Sequence, residues 1–270
     1  MRFALNYSPQ AAELLRSGQI EVDCFKCPDW PDLVAVAARI RPTYVHFPFF
    51  VGNNTLGMVD WNKVEQLLAA SDTRYINMHL APTLPNFPEL RADPTATDRL
   101  YEQVYADIRL ITERFGAERC ILENVPYQGE TDSYHFAPIA VEPAFIREVL
   151  ETTGCGLLLD VSHARLTAWF AGWNERAYLD SLPVDRLREL HVTGIQRVDG
   201  RLWDHMGFTE ADWDIVTWVF DRIASGRWAT PDIVALEYGG VGPRVEWRSD
   251  AGVIAADAPR LYNLTHRLPV

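Results

Sequence analysis

Short runs rich in Val, Ile, Leu and aromatic residues recur along the chain, separated by longer segments in which apolar residues return every three or four positions. Eight runs have the length and composition of strands: 2–7, 21–27, 43–50, 74–80, 120–126, 156–162, 187–193 and 232–238. Segments of helical period lie at 9–18, 30–40, 61–71, 95–116, 142–154, 175–182 and 209–226. TATD and TEAD supply N-caps to two of them, and the glycines of FGAE and TTGCG suit helix C-termini. Strands alternating with helices imply parallel pairing through βαβ crossovers. Eight such units in 270 residues match an α/β fold, the closed (β/α)8 TIM barrel, read as one domain over 1–270. The alternative is an open doubly wound sheet. It loses its nucleotide-binding versions, because no G-x-G-x-x-G follows the first strand and no G-x-x-x-x-G-K-[ST] occurs anywhere. The Pro-rich stretch from Thr83 to Pro94 reads as a loop over the barrel mouth.

Composition narrows the function classes. The 25 Lys+Arg stand against 37 Asp+Glu, a net charge of −12, which offers no basic stripe for a nucleic-acid backbone. At 48% hydrophobic and 23% charged the chain is too apolar for disorder and too evenly mixed to span a bilayer. The start, MRFALNYSPQ, has no signal-peptide pattern, so a soluble cytoplasmic protein is expected. The cysteines, Cys24, Cys27, Cys120 and Cys155, are too few for a disulfide framework. Cys24-x-x-Cys27 reads as reduced thiols packed at a strand end in preference to a redox or zinc half-site, since no second pair accompanies it.

The chemistry gathers at the C-terminal strand ends, where barrels of this kind build their active sites. His46, His79, Glu123 with Asn124, Asp160 with His163 just beyond, His191 and Glu237 fall there, and Asp204-His205 lies in the loop before the helix at 209–226. This set takes five of the seven histidines. A single histidine of this kind reads as a hydrogen-bonded structural residue. Imidazoles and carboxylates converging on one mouth need a cation between them, and divalent ions suit those donors. Nine candidate ligands imply two or three ions, with iron preferred and zinc or manganese as alternatives.

These residues resemble the xylose isomerase-like TIM barrels. Class II apurinic endonucleases of that superfamily hold three zinc ions through His, His, Glu, D-x-x-H, His, Asp-x-His and Glu in chain order. His46, His79, Glu123, Asp160 with His163, His191 and Glu237 follow that order, while Asp204-His205 are adjacent where the pattern has an intervening residue. A closer likeness, through YVHFPFF, ILENVPY, Glu142 in VEPAFIREVL, GCGLLLDVSH, LPVDRLRELHVTG and the Asp-His pair, is to the multinuclear non-haem iron-dependent oxidases. Many members carry Asn-Asn where this chain has Ser162-His163. The resemblance implies two or three irons, dioxygen-dependent oxidation and rearrangement of a peptidyl cysteine, and in some members a partner protein that presents the peptide.

The leading expectation is therefore an iron-dependent oxidase of a peptide or small thiol, with the nine ligands above and Asn124 orienting substrate or completing a coordination shell. A sugar isomerase or epimerase, with Glu123 and Glu237 as an acid-base pair around one ion, is the alternative. An apurinic endonuclease shares the ligand order but opposes the charge, and a non-catalytic barrel is the remaining class. Weaker candidates are Tyr127, Tyr134 and His135 as lid residues, Glu142 as a substrate contact, and GGVG at 239–242 with Arg244 as a phosphate loop, though a plain loop is the better reading there. His266 reads as structural. The tryptophans, among them Trp169, Trp173, Trp203, Trp213 and Trp218, read as helix packing.

Overall fold

The computed structural model describes residues 1–129, 134–243 and 245–267. Its strands are β1 (Arg2–Asn6), β2 (Cys24–Pro28), β3 (Thr43–His46), β4 (Phe50–Val51), β5 (Ile76–Leu80), β6 (Cys120–Asn124), β7 (Gly156–Asp160), β8 (Leu187–Val192), β9 (Gly194–Val198), β10 (Arg201–Met206) and β11 (Ile233–Leu236). The helices are α1 (Pro9–Arg16), α2 (Pro31–Ala38), α3 (Trp61–Ala70), α4 (Asp98–Phe115), α5 (Pro143–Thr153), α6 (Val161–Ala171), α7 (Glu175–Ser181), α8 (Glu210–Ala224) and α9 (Ala251–Arg267). Among the described residues no helix is long and apolar enough to cross a membrane.

The chain packs as two compact units. The first comprises Met1–His46, Asn62–Arg74 and Leu187–Val270. Its strands β3, β2, β1, β11 and β8 pair in that order, every pair parallel. Phe3, Ala4 and Leu5 of β1 and Val234, Ala235 and Leu236 of β11 are all fully buried, because helices cover a parallel sheet on the face opposite its core. Inside, Ala4, Cys24, Tyr44, Ile233 and Ala235 form one cluster. Cys24 and Cys27 are free, buried thiols, and burial pushes both up to about 12, so they pack as side chains and do not react as thiolates.

The second unit comprises Phe47–Trp61 and Tyr75–Arg186. Here β4, β5, β6 and β7 pair in order, again all parallel, with Tyr75, Ile121 and Leu158 packed together. The α4 helix ends on Gly116 and α5 on Gly154, both at positive φ, where a residue without Cβ escapes the left-handed penalty.

Five elements differ from the sequence reading. The run at 43–50 stops pairing at His46, since Pro48 has no N–H for a ladder, and only Phe50–Val51 resumes it. The run at 156–162 ends at Asp160, whose carboxylate accepts from the His163 N–H and caps α6. That helix escaped notice because Val161 to Ala168 are all buried, leaving no polar face to reveal a period. The α9 helix was hidden by Pro259 in its interior. Asp204-His205 lie on β10, antiparallel to β9, and not in a loop.

Candidate functional site

In the second unit the register pairs His79 of β5 with Glu123 of β6, so the two side chains leave adjacent strands at one level. His79 Nε2 lies 3.2 Å from Glu123 Oε2. The other ring nitrogen, Nδ1, is 3.2 Å from the Phe49 carbonyl oxygen, which can only accept, so Nδ1 donates there and Nε2 is the nitrogen turned to Glu123. His163 is built the same way. Its Nδ1 donates to the Asn124 carbonyl at 2.9 Å, and its Nε2 is 3.6 Å from Asp160 Oδ2. Asp160 Oδ2 is buried and has no hydrogen-bond partner among the described residues, while Oδ1 is spent on capping α6.

Asn124 holds this arrangement in place. Its Nδ2 donates to the Asp160 carbonyl at 2.9 Å and its Oδ1 accepts from the Asp160 N–H at 2.8 Å, so a side-chain amide closes the ladder one residue beyond the backbone pairing. Both ends of the amide are engaged and the residue is buried, which makes Asn124 a positioning residue for Asp160.

In the first unit His191 of β8 sits two residues after Glu189, on the same side of the strand. His191 Nε2 is 2.8 Å from Glu189 Oε1, which also accepts from the Tyr44 hydroxyl at 2.8 Å. Fixed from that side, the imidazole turns Nδ1 toward Glu237 Oε1 at 3.1 Å. A carboxylate that orients one imidazole nitrogen and leaves the other to a cation is the usual support of a metal-bound histidine. His46, at the end of β3, packs its ring 5.3 Å from that of His191. Sequence reasoning missed Glu189 and Tyr44, because they lie one step deeper along the strands that end in His191 and His46.

Asp204 and His205 join this unit through a β-bulge. Trp203 pairs with Gln196 and Met206 with Gly194, so three steps on β10 match two on β9, and His205 takes a left-handed φ of 53°. The extra residue puts both side chains on one side, with Nε2 of His205 3.8 Å from Asp204 Oδ1. His205 Nδ1 donates to the Glu237 carbonyl at 2.8 Å.

The remaining candidates fall elsewhere. Tyr127 packs against Phe170 and the cluster of Ala81, Val125, Phe136, Ala140 and Val141. Glu142 is exposed at the N-cap of α5 and makes no side-chain cap. Arg244 lies outside the described residues. In the GGVG loop Gly240 N–H donates to Ser249 Oγ and Gly242 N–H to Glu246 Oε1, so those amides are already used, as a plain loop predicts. His266 is held by the Tyr262 carbonyl and Asp23, a structural pairing. Trp213 is buried in α8, but Trp169, Trp173 and Trp203 are about 40% exposed, and Trp203 sits on β10 with its ring edge-on to Trp247. A groove of about 550 Å³ that the sequence did not announce is lined by Pro48, Phe50, Asn53, Met58, Thr83 and Tyr134, among others. It reaches the second unit's cluster through Phe50, which stacks on the His79 ring at 4.7 Å.

Residues 52–226 match the model of a family described as RiPP precursor modification enzyme MbnB/TglH/ChrH. That span contains seven of the nine candidate ligands, all but His46 and Glu237. A UPF0276 protein of Acaryochloris marina is 28% identical over 222 residues, covering 78% of this chain and 73% of its own. One from Acinetobacter baylyi is 36% identical over 87 residues, 32% of this chain and 28% of its own. Among solved structures, D-psicose 3-epimerase from Clostridium cellulolyticum aligns over 99% of both chains with a TM-score of 0.54 at 13% identity. A xylose isomerase-like TIM barrel/4-hydroxyphenylpyruvate dioxygenase fusion protein aligns over all of this chain and 45% of its own, also at 0.54 and 13%. At such identity these likenesses carry the fold alone, and the fold is the xylose isomerase-like TIM barrel.

Proposed function

Because the chain belongs to the MbnB/TglH/ChrH family of RiPP precursor modification enzymes, which act on ribosomally made peptides, we propose that it is a metal-dependent oxidase of a thiol-bearing peptide. One observation carries the metal part of this reading. His79, His163, His191 and His205 each have one ring nitrogen tied to a carbonyl or carboxylate acceptor and the other turned to a carboxylate oxygen. Hydrogen-bonded structural histidines do not require that repetition, whereas ion ligands do.

The donor set fits the group: neutral imidazole nitrogen and carboxylate oxygen suit iron, zinc and manganese, and the buried Oδ2 of Asp160 asks for a cation. We assign two or three ions, iron preferred, to ligands drawn from His46, His79, Glu123, Asp160, His163, His191, Asp204 and His205, while Glu237 has a cation of its own in Lys26. Bound iron would supply a redox centre for dioxygen and a Lewis acid for a thiolate. The chain's own residues do the rest: Asn124 fixes Asp160, Glu189 fixes His191, and the groove at Phe50, Met58 and Tyr134 offers a peptide an apolar wall beside His79. A substrate-presenting partner protein is part of the proposal by family resemblance.

The test uses iron-loaded protein and a panel of cysteine-containing peptides, with free thiol followed by alkylation and peptide mass. Thiol loss that requires both iron and dioxygen is expected. Intact thiols throughout, together with manganese-dependent proton exchange into a ketose, would instead establish the isomerase alternative.

A further inference from the structure

Lys26 was not singled out by any sequence signal, yet it is the cation nearest to Glu237 in its unit. Its Nζ contacts Glu237 Oε1, and the two side chains are only 6% and 5% exposed. The parallel registers explain the meeting. Lys26 pairs with Asn6, and Leu5 pairs with Leu236, so Lys26, Asn6 and Glu237 stand abreast on β2, β1 and the residue that follows β11. A lysine's four-carbon stem spans the strand between them. The same Oε1 lies 3.1 Å from His191 Nδ1, and His191 is braced from behind by Glu189 and Tyr44.

We infer that the Lys26 ammonium takes the place of one metal ion: it neutralises Glu237 internally, so Glu237 is not an ion ligand in this chain. This inference rests on the metal-dependent reading above. An ammonium and a divalent ion on one carboxylate oxygen would repel each other strongly in a buried setting, and the ammonium is covalently present at all times. Glu237 is where the family order and the strand-end argument both placed a ligand. The structure supplies that carboxylate with an organic cation, and the ion count should fall by one relative to what the nine donors could hold.

The experiment compares bound iron per chain, measured by elemental analysis after anaerobic loading and gel filtration, in wild type, Lys26→Met and Glu237→Gln. Removing the ammonium leaves the buried Glu237 carboxylate beside His191 Nδ1 with no fixed cation, so Lys26→Met should bind one ion more than wild type, and its melting temperature should rise more on loading. Glu237→Gln should keep the wild-type ion count. If Lys26→Met folds poorly without metal, the double variant K26M/E237Q, which strands no charge, is measured in its place and should return to the wild-type count. A Lys26→Met protein with no additional ion, or a Glu237→Gln protein that loses one, overturns the inference. The wild-type count itself tests the metal-dependent reading, so the two failures are told apart by which comparison fails.

Discussion

Asp204 and His205 are sequence neighbours whose side chains share one side of β10, with His205 Nε2 3.8 Å from Asp204 Oδ1. In a regular strand neighbours face opposite ways. The bulge opposite Gln196 and Gly194, with His205 at φ 53°, removes that alternation. An adjacent Asp-His pair thereby presents its two side chains as a pair separated by one residue would on an unbulged strand. If both hold one ion, Asp204→Asn and His205→Ala should each weaken its binding by at least the roughly 10- to 100-fold seen for support residues. The double variant should lose little more, because the second ligand's ion is already gone. Isothermal titration with manganese checks this, and additive losses would mean that the two side chains serve different ions.

The Asn124 clamp predicts a loss of both stability and metal affinity on Asn124→Ala. Two buried backbone groups of Asp160 would be left unpaired, each worth about 1–3 kcal/mol. Asn124→Asp keeps an acceptor for the Asp160 N–H but sets a buried carboxylate oxygen against the Asp160 carbonyl, so without metal it should be no more stable than the alanine variant. Chemical denaturation with and without manganese reads both effects. An alanine variant as stable as wild type would remove the positioning role.

The Cys24 and Cys27 thiols, pushed up to about 12 by burial, hold on the order of one part in ten thousand as thiolate at pH 8. Iodoacetamide at that pH should leave both unmodified in the folded protein and label both in denaturant. Mass mapping of the labelled peptides decides, and rapid native labelling of either would reopen a redox role for the pair.

Much of this site was legible from strand ends alone. His79, Glu123, Asp160 and His191 announced themselves because a parallel strand places chemistry at its C-terminal end and the runs are easy to see. What stayed hidden depended on registers that sequence does not fix. Lys26 reaches Glu237 only because β1 lies between their strands, and Glu189 supports His191 only because it faces the same way two residues earlier. The bulge at Asp204-His205 depends on Trp203 pairing with Gln196 and Met206 with Gly194, a register that the residues of the two strands do not fix by themselves. α6 was missed for the opposite reason, being buried all round at its start.

The groove beside His79 predicts a binding defect without a metal defect. Phe50→Ala removes the ring that stacks on His79 and lines the groove, and Met58, 82% exposed, is the neighbouring apolar side chain. Met58→Asp should raise KM for a peptide substrate several-fold with little change in kcat, and leave bound iron unchanged. A fall in kcat at constant KM would place Met58 in some other step.

The most direct test of the metal-dependent account is anomalous diffraction at the iron and zinc edges from crystals loaded anaerobically with ferrous iron. Iron peaks are expected within about 2.0–2.3 Å of imidazole nitrogens and carboxylate oxygens drawn from His46, His79, Glu123, Asp160, His163, His191, Asp204 and His205, and none bound to Glu237. Loaded crystals with no peak at these side chains would contradict the account.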